Sequence, residues 1–261
     1  MGLIKDKIFK GISGAKDLSK ISNKQKFQTG MQYFLKAETL RNSEFYNESV
    51  KFYLSSLLIE NDNFNCYYGL ANAYKHMHEY EKAIKTLNKA KKINSKSYEL
   101  HNELGILYLL CENPHAAMKE FKSAIMIDKN RPDAQIQLAK AHEVLGDTKM
   151  ALMIYQRIIE FFPSNISAYQ HKANLYMSLN MYFEAAVVYK NLMQVNPSFA
   201  DAYFGLGICF EKLGKINDAI RYLIKFSQLK PNSINSPEVK KHIVKLKKQI
   251  ISKPTEMKIV K

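Results

Sequence analysis

The 261-residue chain is predicted to fold as an all-α protein in which helical hairpins stack into a solenoid. Three observations lead to this prediction. Similar residues return every 34 positions along most of the chain. Within each period, apolar residues recur three, four and seven positions apart, as they do on one face of a helix. The ten glycines and seven prolines are few for a turn-rich β fold.

Columns of small residues define the period. The first half of each period has a column of glycine or alanine, and the second half has a column of alanine. Small side chains there would let two paired helices approach closely, and Pro163, Pro197 and Pro231 would each stop a second helix. The first column contains Ala71, Gly105, Ala139, Ala173 and Gly207, and the second contains Ala83, Ala117, Ala151, Ala185 and Ala219.

Six units of this period extend from Gly30 to Ser233. Each predicts two helices around a polar turn such as Leu213-Gly214-Lys215. One helix pair cannot bury its apolar face alone, whereas stacked pairs share a continuous core. Ser49 and Ser56 occupy small-residue columns of the first unit and are expected to mark a terminal unit that faces solvent. The units are residues 30–63, 64–97, 98–131, 132–165, 166–199 and 200–233.

Residues 234–261 are expected to form a capping helix and a basic tail. Ser236 followed by Pro237 is typical of a helix start. The apolar residues that follow are spaced by four, three and four positions, which predicts an amphipathic helix that closes the open end of the stack. They are Val239, Ile243, Leu246 and Ile250.

The period and its columns resemble the tetratricopeptide repeat family over about four-fifths of the chain. The resemblance implies a right-handed superhelix of six tandem helix-turn-helix units, whose first helices line a concave groove. The aromatic, leucine, glycine, aromatic, alanine and proline columns are occupied in the last unit by Tyr203, Leu206, Gly207, Phe210, Ala219 and Pro231.

The resemblance also implies which side chains face the groove. Amides suit an extended peptide because they both donate to and accept from main-chain groups, and apolar neighbours supply pockets for side chains. The implied partner is therefore a peptide or helix of another protein. The groove-facing residues would be Phe34, Glu38, Tyr68, Asn72, Asn102, Ile106, Gln137, Lys140, Gln170, His171, Asn174 and Phe204.

An acidic peptide is not the expected ligand. Some members of the family grip an acidic C-terminal peptide through a clamp of lysine, arginine and asparagine. The corresponding positions here include Phe34, Glu38 and Glu103, which do not form such a clamp. Further acids on the same side disfavour an acidic ligand, and they are Glu99, Asp133 and Asp201.

Most of the net charge of +15 lies at the two ends of the chain. Residues 1–29 carry +5 and residues 234–261 carry +6, which leaves +4 for the 204 residues between them. The central body therefore offers little attraction to nucleic acid, whereas the ends could be drawn to an anionic surface. The N-terminal segment could contact a membrane or a partner through Ile4, Lys5, Lys7, Ile8, Lys10 and Ile12, or fold back onto the first repeat.

No residue set predicts catalysis, a cofactor or a metal site. Cys66, Cys111 and Cys209 fall in helix-packing columns and are expected to be small buried residues. His76 and His78 lack the spacing of metal ligands on a helix. No signal peptide or membrane-spanning run is predicted. The sequence thus favours a non-catalytic, cytoplasmic scaffold or adaptor for protein interactions, with a peripheral membrane adaptor and an RNA-binding repeat protein as alternatives.

Overall fold

A computed structural model describes residues 22–231 and 236–252. These residues form thirteen α-helices and no strand. This confirms the predicted all-α solenoid fold. The helices are α1 (Asn23–Asn42), α2 (Tyr46–Ile59), α3 (Phe64–His76), α4 (Tyr80–Ile93), α5 (Tyr98–Leu110), α6 (Pro114–Ile127), α7 (Pro132–Val144), α8 (Thr148–Phe161), α9 (Ile166–Ser178), α10 (Tyr182–Val195), α11 (Ala200–Lys212), α12 (Ile216–Leu229) and α13 (Ser236–Ser252).

Capping side chains explain where many of the helices begin. Ser22 starts α1 with a capping box, in which its hydroxyl accepts from the Gln25 main chain while the Gln25 side chain accepts from the Ser22 main chain. This helix begins at Asn23, ahead of Gly30. Asn63 and Asn165 cap α3 and α9 in the same way, by accepting from the third residue of the turn.

The chain divides into two compact units, residues up to Ala141 and residues from His142 onward. In the first unit, the small-residue columns lie in the core. Ala71, Ala83 and Ala117 are buried, and a Cβ added to Gly105 of α5 would collide with the buried Phe121 ring of α6. The close approach of paired helices therefore requires glycine at this position.

Two serines of the first repeat, residues 30–63, lie in the core. Ser49 and Ser56 occupy small-residue columns, and both are fully buried in α2. The Ser56 hydroxyl donates to the Gly30 carbonyl (2.9 Å) and the Ser49 hydroxyl donates to the Tyr46 carbonyl (3.0 Å). Their polar groups are thus satisfied inside the core by the main chain.

A buried ionic cluster joins α4, α5 and α6. The Glu120 carboxylate accepts from Lys91 Nζ at 2.9 and 3.0 Å and lies 2.6 Å from His101 Nδ1. The other ring nitrogen, His101 Nε2, lies 3.0 Å from the Ser95 carbonyl oxygen. Each polar group of the cluster therefore has a partner, as burial requires.

In the second unit, α9 to α13 share one hydrophobic core. The predicted amphipathic helix is α13, and its Val239, Ile243 and Leu246 are buried in this core. Ile250 was predicted on the same face, but it is 40% exposed near the end of the helix. Among the helices of the described segments, none combines the length and apolar character that crossing a bilayer requires.

Candidate binding surfaces

The first unit has a small pocket of about 210 Å³ between α1 and α3. Four of the predicted groove residues meet there, and the arrangement of two aromatic rings beside polar side chains suits one side chain of a ligand. Arg41 and Asn65 were not predicted. Arg41 follows Phe34 by seven positions and therefore lies on the same helix face, a spacing from which it could have been found. The lining consists of Phe34, Glu38, Arg41, Asn65, Tyr68, Gly69 and Asn72.

A three-residue network sets the charge of this pocket. Arg41 Nη2 donates to Glu38 (2.7 Å), Arg41 Nε donates to the Tyr53 hydroxyl (3.1 Å), and that hydroxyl donates to Glu38. The hydrogen bond to Glu38 raises the pKa of Arg41, and burial is the main cause that raises the pKa of Tyr53. The Glu38 carboxylate is thus compensated within the chain.

The other predicted residues of the first unit lie outside this pocket. Asn102 of α5 and Gln137 and Lys140 of α7 are partly buried, and Ile106 packs against the core cluster that contains Phe121. The Asn102 Oδ1 atom is buried and has no hydrogen-bond partner among the described residues. None of these four residues lines the pocket between α1 and α3.

The acids on the groove side are paired. Arg131 binds Glu99 at 2.5 Å and lies 3.9 Å from Asp133, and Lys75 pairs with Glu103. Two cations thus face three carboxylates, so the ion pairs reduce but do not cancel the negative charge that disfavours an acidic ligand.

The second unit has a larger pocket of about 440 Å³ between α9, α10 and α11. Its floor is apolar and its rim carries amides and one carboxylate, Asp201, which pairs with Lys230 at 2.8 Å. A Cβ on Gly205 would collide with the Tyr189 ring, so glycine leaves room for this ring at the base of the pocket. The lining consists of Gln170, Asn174, Met177, Tyr189, Phe199, Asp201, Phe204, Gly205 and Ile208.

Two predicted residues of this pocket are held in place by the core. The Tyr189 hydroxyl donates to Asn174 Oδ1 (2.8 Å), which leaves the Asn174 amide nitrogen as a donor. Burial raises the pKa of Tyr189 to about 12, so its hydroxyl keeps its proton at neutral pH. Phe204 is 36% exposed while its ring rests 5.2 Å from the Phe226 ring.

His171 was predicted beside Gln170, but it does not line this pocket. Its ring stacks on the buried Tyr155 ring, with 5.7 Å between the centroids and 16° between the planes. The Tyr155 hydroxyl in turn donates to Glu143 (2.5 Å). The His171 ring thus contacts the core of the second unit through Tyr155.

A further pocket of about 580 Å³, between α8 and α9, was missed at the sequence level. Met153 and Phe161 leave apolar surface exposed there, and Lys172 lies across the pocket with its Nζ donating to Gln156 (2.5 Å). Burial lowers the pKa of Lys172. No period column indicates this pocket, because it forms between the second helix of one hairpin and the first helix of the next.

The three cysteines differ in burial. Cys66 and Cys209 are buried as predicted, and burial raises the pKa of each thiol to about 12, which makes both unreactive. The same prediction of burial is wrong for Cys111, which is partly exposed at the end of α5. Within residues 22–231 and 236–252, three or more metal-binding side chains do not cluster anywhere. The proposed N-terminal contact residues Ile4, Lys5, Lys7, Ile8, Lys10 and Ile12 lie outside the described residues.

Stacked helical hairpins with a 34-residue period define an α-helical repeat protein. The chain belongs to the tetratricopeptide repeat family. Models described as "Tetratricopeptide repeat" match residues 64–97, and residues 133–165 with 201–233, and a model described as "TPR repeat" matches residues 173–214.

Two of the similar curated proteins align with about half of the chain. The bovine (Bos taurus) BBSome complex member BBS4 is 27% identical over 143 residues, which are 54% of this chain and 27% of that protein. The anaphase-promoting complex subunit 3 of Schizosaccharomyces pombe is 28% identical over 144 residues, which are 55% of this chain and 22% of that protein. The chain therefore spans about a quarter of the length of these relatives.

Solved structures share the fold over most of the chain. PilW, a type IV pilus biogenesis factor, superposes with a TM-score of 0.65 at 19% identity, covering 81% of this chain and 98% of PilW. PilF of Pseudomonas aeruginosa superposes with a TM-score of 0.61 at 14% identity, covering 84% and 99% of the two chains. At these identities the likeness shows the fold alone.

Proposed function

We propose that this chain is a non-catalytic scaffold that binds a peptide or helix of a partner protein, within a multiprotein assembly, on the first helices of its hairpins. The observation that carries the proposal is the pocket between α9, α10 and α11. It combines an exposed aromatic ring with an amide donor whose orientation is fixed by the core.

In the second unit, an apolar side chain of the partner occupies the space beside Met177, Phe204 and Ile208. The Asn174 amide nitrogen then donates to a main-chain carbonyl of the same segment. Little side-chain entropy is lost on binding, because Tyr189 already holds the amide and Phe226 supports the Phe204 ring.

In the first unit, the smaller pocket takes a second side chain between the Phe34 and Tyr68 rings, with Asn65 and Asn72 as polar contacts. Neither pocket has a surplus of basic groups. Arg41 is paired with Glu38 in the first, and the carboxylate of Asp201 lies on the rim of the second. This balance favours a protein ligand over the phosphates of RNA.

The names of the relatives point the same way. One is a member of the BBSome complex and another is a subunit of the anaphase-promoting complex. Both belong to multiprotein assemblies, which supports a scaffold role for the repeats that this chain shares with them.

The test uses peptides selected from a random library on the full chain. The double substitution Asn72→Ala with Asn174→Ala is expected to raise the peptide Kd by about tenfold, because each lost hydrogen bond contributes roughly 0.5 to 1.5 kcal/mol. Asn174→Ala is expected to lower the melting temperature modestly, because the buried Tyr189 hydroxyl loses its acceptor, so binding is measured well below the unfolding transition of the variant.

The matched control is Asn88→Ala with Asn191→Ala, which removes two amides from the second helices α4 and α10. This control should bind the selected peptides as the unmodified chain does. Equal affinity of the Asn72 and Asn174 double variant would refute the pocket assignment. Salt-dependent RNA binding that the double variant loses would show that the surface serves RNA instead.

A further inference from the structure

The outer surface of α13 is strongly basic. The inner side of the helix is buried in the core of the second unit, and the opposite side carries Lys241, Lys245 and Lys248 at spacings of four and three residues. Lys240 and Lys247 flank this row. All five lysines are exposed, and together they are called the lysine face below.

None of these lysines is neutralised by the described chain. The ion pairs and hydrogen bonds of the described residues include no partner for any of the five, and the one acid within α13 is Glu238 in its first turn. The nearby Glu211 carboxylate already contacts His242, with 2.7 Å between Oε2 and Nε2. From Lys212 to Ser252 the sequence has ten basic residues and two acidic ones.

Solvation of a terminal helix does not require this arrangement. A capping helix stays soluble with polar residues of either sign, whereas like charges spaced by four on one helix repel each other. Lys241 and Lys245 have this spacing. A face that bears such repulsion is suited to a ligand that supplies the missing negative charge.

We propose that the lysine face docks on an anionic membrane surface. Val244 is 52% exposed and lies among the lysines, where it can enter the boundary between headgroups and acyl chains. Clusters of four to eight basic residues on an amphipathic helix bind anionic lipid in this way.

The composition of α13 opposes nucleic acid as the occupant. The helix has no aromatic side chain on which an unpaired base could stack. It also has lysine and no arginine, so the planar fork that reads phosphate and base edges is missing. The proposal is independent of peptide binding in the pockets, since it uses none of the pocket residues.

The test measures binding of the full chain to phosphatidylserine-rich vesicles by co-sedimentation at about 0.15 M salt. The triple substitution Lys241→Gln, Lys245→Gln and Lys248→Gln is expected to weaken binding about a hundredfold, from about fivefold per lysine. Vesicles of phosphatidylcholine alone should not bind. The variant should unfold at the temperature of the unmodified chain, because the three side chains lie outside the core.

The matched control is Lys85→Gln, Lys89→Gln and Lys92→Gln on α4. These three lysines are exposed and have the same spacing, so both triple variants remove the same positive charge. The α4 control should change vesicle binding by less than about twofold. If the α4 control loses as much vesicle binding as the α13 variant, the proposal is overturned, because net charge alone would then explain binding. If the α13 variant binds vesicles as the unmodified chain does, the proposal is overturned as well.

The Val244→Ser variant distinguishes a membrane from a nucleic acid as the ligand of the lysine face. Loss of the apolar side chain should weaken vesicle binding about threefold to tenfold and leave binding to a single-stranded oligonucleotide unchanged. If the chain binds the oligonucleotide more tightly than the vesicles, and the triple variant on α13 abolishes that binding, the occupant is nucleic acid and the membrane proposal is overturned.

Discussion

At the scale of single residues, the hairpin turns share one backbone feature. One residue in each turn has a positive φ, between 56° and 75°, and these residues recur at intervals of 34. Only glycine adopts this left-handed conformation without steric cost. Two of the turns use glycine and the others store a small strain. The residues are Glu44, His78, Glu112, Gly146, Asn180 and Gly214.

The presence or absence of glycine at these positive-φ positions predicts how substitutions there change the free energy of unfolding. Glu112→Gly is expected to raise the free energy of unfolding by about 0.5 to 1 kcal/mol, because relief of the left-handed strain exceeds the added entropy of the unfolded chain. Gly146→Ala is expected to lower it by about 1 kcal/mol. No atom lies within 4 Å of the new Cβ at Gly146, so the backbone alone accounts for that loss. Urea unfolding measures the free energy of unfolding of both variants. Equal changes of the same sign would contradict the prediction.

The residue scale also shows how far the candidate site could be predicted. The family resemblance implied Asn174 and Phe204 for the groove, and both line the pocket between α9, α10 and α11. Helical spacing does not determine which neighbouring residue a side chain contacts. His171 stacks on Tyr155, and Glu38 is bound by Arg41, since both contacts depend on residues of other columns.

At the scale of elements, α13 has two different roles on its two sides. Its buried residues complete the core of the second unit, while its lysines face outward. The apolar spacing was sufficient to predict the buried side. It could not show that Ile250 is partly exposed, because that depends on where the neighbouring helices end.

Shortening a side chain to alanine should have different effects on the stability of the protein on the two sides of α13. Leu246→Ala is expected to lower the free energy of unfolding by about 2 to 5 kcal/mol, because Leu246 is fully enclosed and its loss leaves a cavity. Val244→Ala, on the exposed side, should change it by less than about 0.5 kcal/mol. Chemical denaturation followed by circular dichroism measures both. Similar losses in the two variants would mean that α13 does not pack as described.

At the scale of the whole molecule, the period was sufficient to predict the fold, because a solenoid repeats its core contacts with its sequence. The exceptions lie where a residue departs from its column. Ser49 and Ser56 place hydroxyl groups in small-residue columns, and main-chain carbonyls satisfy these groups inside the core. Such local satisfaction of polar groups depends on geometry that column patterns do not contain.

One tyrosine in each unit, the partly buried Tyr68 and the buried Tyr189, is expected to make the chain sensitive to alkaline pH. Burial raises the pKa of Tyr68 in the first unit and of Tyr189 in the second to about 12, from an ordinary value of 10.0. Below pH 10 the folded and unfolded states both keep these protons, so stability is unaffected. Between pH 10 and 12 the unfolded chain loses them while the folded chain retains them, so stability falls as pH rises.

Each of these tyrosines should contribute a slope of up to about 1.4 kcal/mol per pH unit in that window. Tyr189→Phe and Tyr68→Phe should each unfold with a shallower dependence on pH than the unmodified chain, even where Tyr189→Phe is less stable at neutral pH because Asn174 loses its hydrogen bond. Urea unfolding from neutral pH to about pH 11 measures the slopes, and lysine titration cancels in the comparison. Parallel curves for the variants and the unmodified chain would show that the two hydroxyls ionise as readily in the folded state as in the unfolded one.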